Sequence, residues 1–325
     1  MKLHWKDQGV IFRVEKNSLP YEFVGYCQAP QCLVLKDRIR IYFSSRRLDN
    51  QNLFLSQPFY VDFDLYDLRK LSKVKGPVLE LGRVGTFDEH GIFPLSIFKD
   101  EELVYGFTTG WFRRPSVGAD SYIGITVSHD QGLTFKRSFE GPIIGPTALE
   151  PYLLADPSIL KVDGQYLMWY VFGTSWFINP ENKLPYRTYK ISMASSKDMI
   201  NWNRSGHQII SDGPMDASEC QAMPSVVRFE NMYHMVFCVR NTLDFKQNKL
   251  NTYRLAYAYS YDGSNWIRCD EALGISRPDS GWCSEMMCYP NLVEINGKLN
   301  LFYNGNEFGK FAIGHMILDG IKYDY

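Results

Sequence analysis

A unit built on a proline recurs five times along this chain, and a repeat of that length and content leaves few architectures open. Each copy reads as a proline, an apolar strand, a polar turn and an aromatic-rich second strand. The copies are APQCLVLKDRIRIYFSSR from Ala29, FPLSIFKDEELVYGFTTG from Phe93, DPSILKVDGQYLMWYVFG from Asp156, MPSVVRFENMYHMVFCVR from Met223 and YPNLVEINGKLNLFYNGN from Tyr289. Pro30, Pro94, Pro157, Pro224 and Pro290 lie 63 to 67 residues apart. Proline is tolerated where a strand begins, because the missing N–H is not needed there. The polar turns carry Asp-Gly, Asn-Gly and similar pairs that close hairpins.

A second marker recurs in the middle copies. It reads SHDQGLTF from Ser128, SSKDMINW from Ser195 and SYDGSNW from Ser260, each after an alternating strand. The acid and the closing Phe135, Trp202 or Trp266 fit the turn from a third strand to a fourth. Four antiparallel strands repeated five times predict an all-β chain, a five-bladed β-propeller spanning residues 1–325 as one domain. The blades should open near Tyr21, Gly85, Tyr152, Ala217 and Trp282. The N-terminal VIFRVE from Val10 is expected to pair beside the C-terminal FAIGHMIL from Phe311 and close the ring. The polar segment INPENKLPYRT from Ile178 reads as a rim loop.

Composition removes several function classes. With a net charge of −1, the chain offers no basic field for nucleic acid or an anionic membrane. Met1–Val10 lacks the apolar core of a secretory signal, and no apolar run is long enough for a membrane span. Seven cysteines at scattered spacing, with no CxxC, read as reduced thiols of a cytoplasmic protein and give no zinc site. No ligand spacing calls for another metal or for a cofactor. Glycine-rich phosphate loops, GxSxG and HExxH are all missing.

In a propeller the first strand of every blade lines the axis, and alternate residues share a side. One residue before each proline stand Ala29, Phe93, Asp156, Met223 and Tyr289. Five before stand Gly25, Glu89, Tyr152, Glu219 and Glu285. The expectation is that Asp156, Glu219, Glu285 and Glu89 converge, in that order of importance, as catalytic carboxyl groups. Carboxyls crowded into one hollow split into an acid and a base. Sixteen residues after the prolines stand Arg46, Gly110, Gly173, Arg240 and Asn306. The two arginines suit a phosphate or carboxylate, or else ion pairs with the axial acids. Asp88 and His90 flank Glu89, and Tyr42 and Trp282 offer aromatic faces for a sugar ring. Asp88, His90, Tyr42, Trp282 and Asn306 therefore join the arginines as candidate substrate contacts.

The segments ADPSIL from Ala155, CVRNTLDF from Cys238, YRLAYAYSYDGSNW from Tyr253, WCSEMMCYPNLV from Trp282 and LFYNGNEFG from Leu301 carry a resemblance over nearly the whole chain. It is similar to the five-bladed propeller superfamily of arabinanases, xylosidases, invertases and mannoside phosphorylases. Within it, the chain resembles uncharacterised bacterial propellers associated with surface-polysaccharide loci. The arabinanase and invertase pattern sets an acid before the blade-one proline, where Ala29 stands, and another at the position of Ala222. Asp156 alone keeps the DP pair. The resemblance implies a glycosidase-like enzyme acting on a glycoside, with relocated acids. It equally admits a cytoplasmic polysaccharide-biosynthesis protein that transfers, modifies or binds an anionic or activated sugar. A non-catalytic scaffold is the third reading.

Overall fold

The computed structural model describes residues 1–14, 18–20, 22–245 and 248–323. Tyr21, the expected opening of the first repeat, and Glu15, the end of VIFRVE, lie outside them. The chain is nearly all-β. Strand β1 (Lys2–Arg13) precedes the repeats. The first repeat supplies β2 (Phe23–Val34), β3 (Arg38–Leu48) and β4 (Phe54–Asp64). The second supplies β5 (Gly91–Asp100), β6 (Leu103–Arg114), β7 (Gly118–Ser128) and β8 (Lys136–Arg137). Then come β9 (Leu154–Val162), β10 (Gln165–Ile178), β11 (Pro185–Ser196) and β12 (Asn203–Arg204). The fourth repeat gives β13 (Glu219–Phe229), β14 (Met232–Asn241), β15 (Arg254–Ser260) and β16 (Ile267–Arg268). The last gives β17 (Cys288–Ile295), β18 (Lys298–Asn304) and β19 (Ala312–Lys322).

Three sheets are four-stranded: β9 to β12, β13 to β16, and β1-β19-β18-β17. The first repeat departs from the four-strand expectation. Beyond β4 its pairing is reduced to isolated bridges, Phe63 to Lys70 and Tyr60 to Lys75. A single parallel pairing of Ser56 with Gly91 joins β4 to β5, so the first two repeats share one seven-stranded sheet. Gly91 permits that approach: a Cβ there would lie 1.9 Å from Trp111 Nε1 and 2.3 Å from Ser56 Oγ.

The five proline-bearing strands pack in cyclic order, β2 on β5, β5 on β9, β9 on β13, β13 on β17 and β17 on β2. Side chains just past the prolines stitch them together. Ser158 Oγ accepts from Val226 N (3.1 Å), Ser225 Oγ from Leu292 N (2.7 Å) and Asn291 Oδ1 from Cys32 N (2.9 Å). Aromatic side chains such as Trp169, Tyr170, Phe59 and Phe302 fill the layers between sheets and are fully buried. The acid of the second marker does what its spacing predicts. Asp198 accepts from the N–H groups of Ile200 and Asn201 between β11 and β12, and Asp262 does the same for Ser264 and Asn265 between β15 and β16. The Asn201 amide and the backbone N–H groups of the turn hold Asp198 well below the usual carboxylate range.

Strand β1 pairs antiparallel with β19 from Lys2–Lys322 to Arg13–Ala312. Leu3 and Phe12 are buried by it, which contributes about 4 kcal/mol for the two side chains. Deleting residues 1–13 is expected to lower the melting temperature by roughly 10 °C. An unchanged melting curve would show that this pairing does not hold the last sheet. Among the described residues no helix is long and apolar enough to cross a membrane.

Candidate functional site

Each proline-bearing strand carries one residue more than its partner at the proline. On β9 the register runs from Ala155–Val171 to Ser158–Trp169, leaving Asp156 and Pro157 bulged. Equivalent shifts occur at Gln28/Gln31, Ile92/Leu95, Ala222/Ser225 and Cys288/Asn291. Ala29, Asp156, Met223 and Tyr289 take left-handed backbone, with φ between 51° and 55°. An extra residue reverses which side chains share a face. The residues two before the proline (Gln28, Ala155, Ala222) therefore join those one before it (Phe93, Asp156, Tyr289) on the wall of a cavity of about 460 Å³. Residues five before point elsewhere.

That reversal corrects the expected convergence of acids. Glu219 is fully buried away from the cavity and bonded to Arg268 at 2.6 and 3.1 Å. Glu285 is half exposed and ion-paired with Lys249. Glu89 caps a loop, accepting from Gly85 N at 2.8 Å. Asp88 is buried against Arg137, with Nε to Oδ2 at 2.7 Å. His90 stacks behind Trp111, and burial, with Arg113 beside it, pulls its pKa below the ordinary value. Tyr42 is core, donating to Gly132 O at 2.6 Å, and Trp282 stacks on Tyr303. Asn306 accepts from the N–H groups of Glu285 and Met286 and ties down a loop. None of these lines the cavity, whereas Asp156, Arg46 and Arg240 do.

Three guanidinium groups face this hollow. Arg46 lies 4.7 Å from the Tyr26 ring centre and 5.0 Å from that of Phe54. Arg187, from the segment expected to be a rim loop, sits 5.3 Å over Trp176 and donates to Ala119 O at 3.2 Å. Arg240 is only 6% exposed. Its Nε donates to Tyr189 Oη (2.9 Å) and Tyr253 Oη (3.3 Å), its Nη1 to Asn241 O and Thr242 O, and its plane lies 3.8 Å from the Phe245 ring centre. Among the described residues, none of the three meets a carboxylate within ion-pair distance. A buried cation without a counter-ion is costly and marks a place for an anion.

Two carboxyl groups line the same wall. Asp120 is committed to Arg114 at 2.7 Å. Among the described residues Asp156 accepts from Met223 N alone, at 3.1 Å, while its own N–H donates to Thr109 Oγ1 at 2.7 Å. Burial pushes its pKa up to about 7, against the opposing pull of the Met223 N–H and of Arg187. A carboxyl poised there can hold a proton near neutrality and release it within the cavity. Among the described residues no cluster of three or more His, Cys, Asp or Glu side chains could hold a metal ion.

Solved structures place this architecture. The BT0996 complex with RGII superposes with a TM-score of 0.71 over 100% of this protein and 94% of that one, at 15% identity. A GH130 protein of the mannoside phosphorylase family, described with glycoside hydrolases that target β-1,2 mannosidic linkages in Candida mannan, gives 0.68 over 98% and 94%, at 16% identity. The fold is that of the propeller glycoside hydrolases. A thermostable family-43 glycoside hydrolase matches this propeller at 0.64 over 93% and 91%. By sequence, an uncharacterized protein of Mycobacterium tuberculosis strain H37Rv is 28% identical over 87% of the propeller and 89% of its own length. A beta-1,2-mannobiose phosphorylase of Thermoanaerobacter sp. strain X514 is 33% identical over 29% of the propeller and 28% of its own length. No family model matches the chain.

Gln28, Arg187, Tyr189 and Tyr253 escaped the sequence reading. The last three lie on or next to third strands of their sheets, which the proline register does not reach. Gln28 was hidden by the bulge, which turns its position inward.

Proposed function

We propose that residues 1–325 form one five-bladed propeller enzyme that cleaves or transfers a glycosyl group in the axial cavity. The cyclic packing of the five proline-bearing strands supports the blade count. Asp156 carries the chemical reading: it is the cavity carboxyl with no cationic hydrogen-bond partner, and burial holds its proton on up to about pH 7. Protonated Asp156 gives its proton to the glycosidic oxygen as the bond from that oxygen to the anomeric carbon breaks. An oxygen nucleophile forms the new bond to that carbon, and Asp156 is left as the carboxylate. This replaces a pair of axial carboxyl groups with one carboxyl facing a cationic wall.

The guanidinium of Arg240, which meets no carboxylate among the described residues, favours an anion as the second participant. Inorganic phosphate as nucleophile would make the reaction a phosphorolysis, the activity named for the Thermoanaerobacter relative. An anionic group on the sugar itself would make it the handling of a uronic or phosphorylated sugar. A melting-temperature screen separates the two. β-1,2-Mannobiose with inorganic phosphate, a uronate disaccharide and nucleotide sugars are offered in turn, and released sugar phosphate is measured. Ligand at about 100 times its Kd adds roughly 2.7 kcal/mol, a rise of several degrees. Phosphate-dependent turnover supports phosphorolysis, and stabilisation by anionic sugars alone supports the second reading. No response to any of them would overturn the proposal.

A further inference from the structure

Gln28 is wholly buried, yet its side chain lines the axial cavity. Its Nε2 donates to the Phe308 carbonyl at 2.5 Å. That contact fixes the amide's orientation, because a carbonyl oxygen only accepts, and a flipped amide would set oxygen against oxygen. Oε1 is therefore the free end, and it is buried with no hydrogen-bond partner among the described residues. Leaving a buried acceptor unpaired is costly, and this one belongs to a residue of the cavity wall.

The surroundings hold that acceptor in place. Asn304 brackets Gln28, accepting from Ala29 N at 2.7 Å and donating to Cys27 O at 2.9 Å. The Asn306–Gly309 turn presents the Phe308 carbonyl through two successive left-handed residues, Glu307 (φ 54°) and Phe308 (φ 57°). Such backbone costs energy outside glycine and persists where the surroundings enforce it. Gly309 completes the turn at φ 80°, where a Cβ would meet the Asn304 side chain at 2.7 Å.

We propose that Gln28 is a specificity-determining residue whose Oε1 accepts a hydrogen bond from one neutral hydroxyl of the bound sugar. Several other hydrogen-bonding groups on the cavity wall are already engaged: Ser56 Oγ accepts from Trp111 Nε1, Thr109 Oγ1 from Asp156 N, and Asp120 from Arg114. The inference rests on the reading of this cavity as a sugar site. It divides recognition between a neutral acceptor on β2 and cationic donors on β3, β11 and β14.

The test is a ligand-against-residue cycle. Wild type and Gln28→Leu are titrated with D-mannose, D-glucose and D-galactose, then with each monodeoxy analogue of any sugar that binds, and separately with inorganic phosphate. In wild type one deoxy analogue should bind about tenfold or more weaker than its parent. In Gln28→Leu the parent should weaken to that level, and the same analogue should lose nothing further. Phosphate affinity and the melting temperature of the free protein report on any general damage. Equal weakening of the parent and every analogue in the variant would overturn the role of Gln28 alone. Failure of wild type to bind any of the three sugars, along with failure to bind β-1,2-mannobiose, the uronate disaccharide or a nucleotide sugar, would overturn the sugar site together with it.

Discussion

Replacing Asp156 with Asn is expected to lower turnover by about 10²- to 10⁴-fold while the protein stays folded. Asn keeps an acceptor for Met223 N, which Asp156 now receives at 3.1 Å, and tolerates the left-handed backbone at φ 53°. What it loses is the transferable proton. The wild-type pH profile should match. kcat/KM should hold below about pH 7 and fall roughly tenfold per unit above it, as the acid ionises. Stability provides an independent check on the same group. Its folded pKa is raised above the unfolded value of 3.8 to about 7. The neutral carboxyl is thus accommodated at low pH, and stability is lost as pH rises from about 4 through 7. Asp156→Asn should therefore melt higher than wild type at pH 8 and not at pH 4, by about 2 kcal/mol after allowing for cavity solvent. A variant with full turnover, or with a pH-independent stability difference, would remove Asp156 from the chemistry.

The second large effect is structural. Glu219→Ala should destabilise the fold by about 3 kcal/mol, because it strands the Arg268 guanidinium in the interior. Arg268 keeps Asp270 at 2.8 Å, which sets the loss at the lower end of what a broken buried pair costs. Activity per folded molecule should be unchanged at low temperature. The pair Glu219→Met with Arg268→Leu should recover most of the lost stability, since removing both charges leaves neither uncompensated. Loss of turnover with unchanged melting in Glu219→Ala would instead return Glu219 to the active site.

Much of the fold was legible because strand, turn and proline chemistry repeat locally. The Asp198 and Asp262 turns, the proline-bearing first strands and the aromatic second strands are each dictated within a few residues. The site was legible only in part, since it depends on side-chain parity. Simple alternation pairs the residues one and five before each proline, but the bulge at Ala155/Ser158 and its equivalents breaks that pattern. Asp156 and the two arginines reach the cavity regardless. Glu219 does not, because the Ala222/Ser225 bulge lies between it and Pro224, and Glu285 does not, because it precedes β17 in a loop where strand alternation has no hold. The missing fourth strand of the first repeat has no sequence signature either: the Gly91 approach becomes visible only when Ser56 and Trp111 surround it.

Left-handed backbone at Ala29, Asp156, Met223 and Tyr289 has an evolutionary corollary. Asp156 and Tyr289 reach the cavity wall from such sites, while the flanking ladder is held by main-chain pairing. Exchanging either side chain alters the reagent presented without rebuilding any β-sheet. Of the residues standing there, Asp best tolerates such φ values. Descendants of a single ancestral scaffold can thus diversify their reactions through isolated codon changes at these positions.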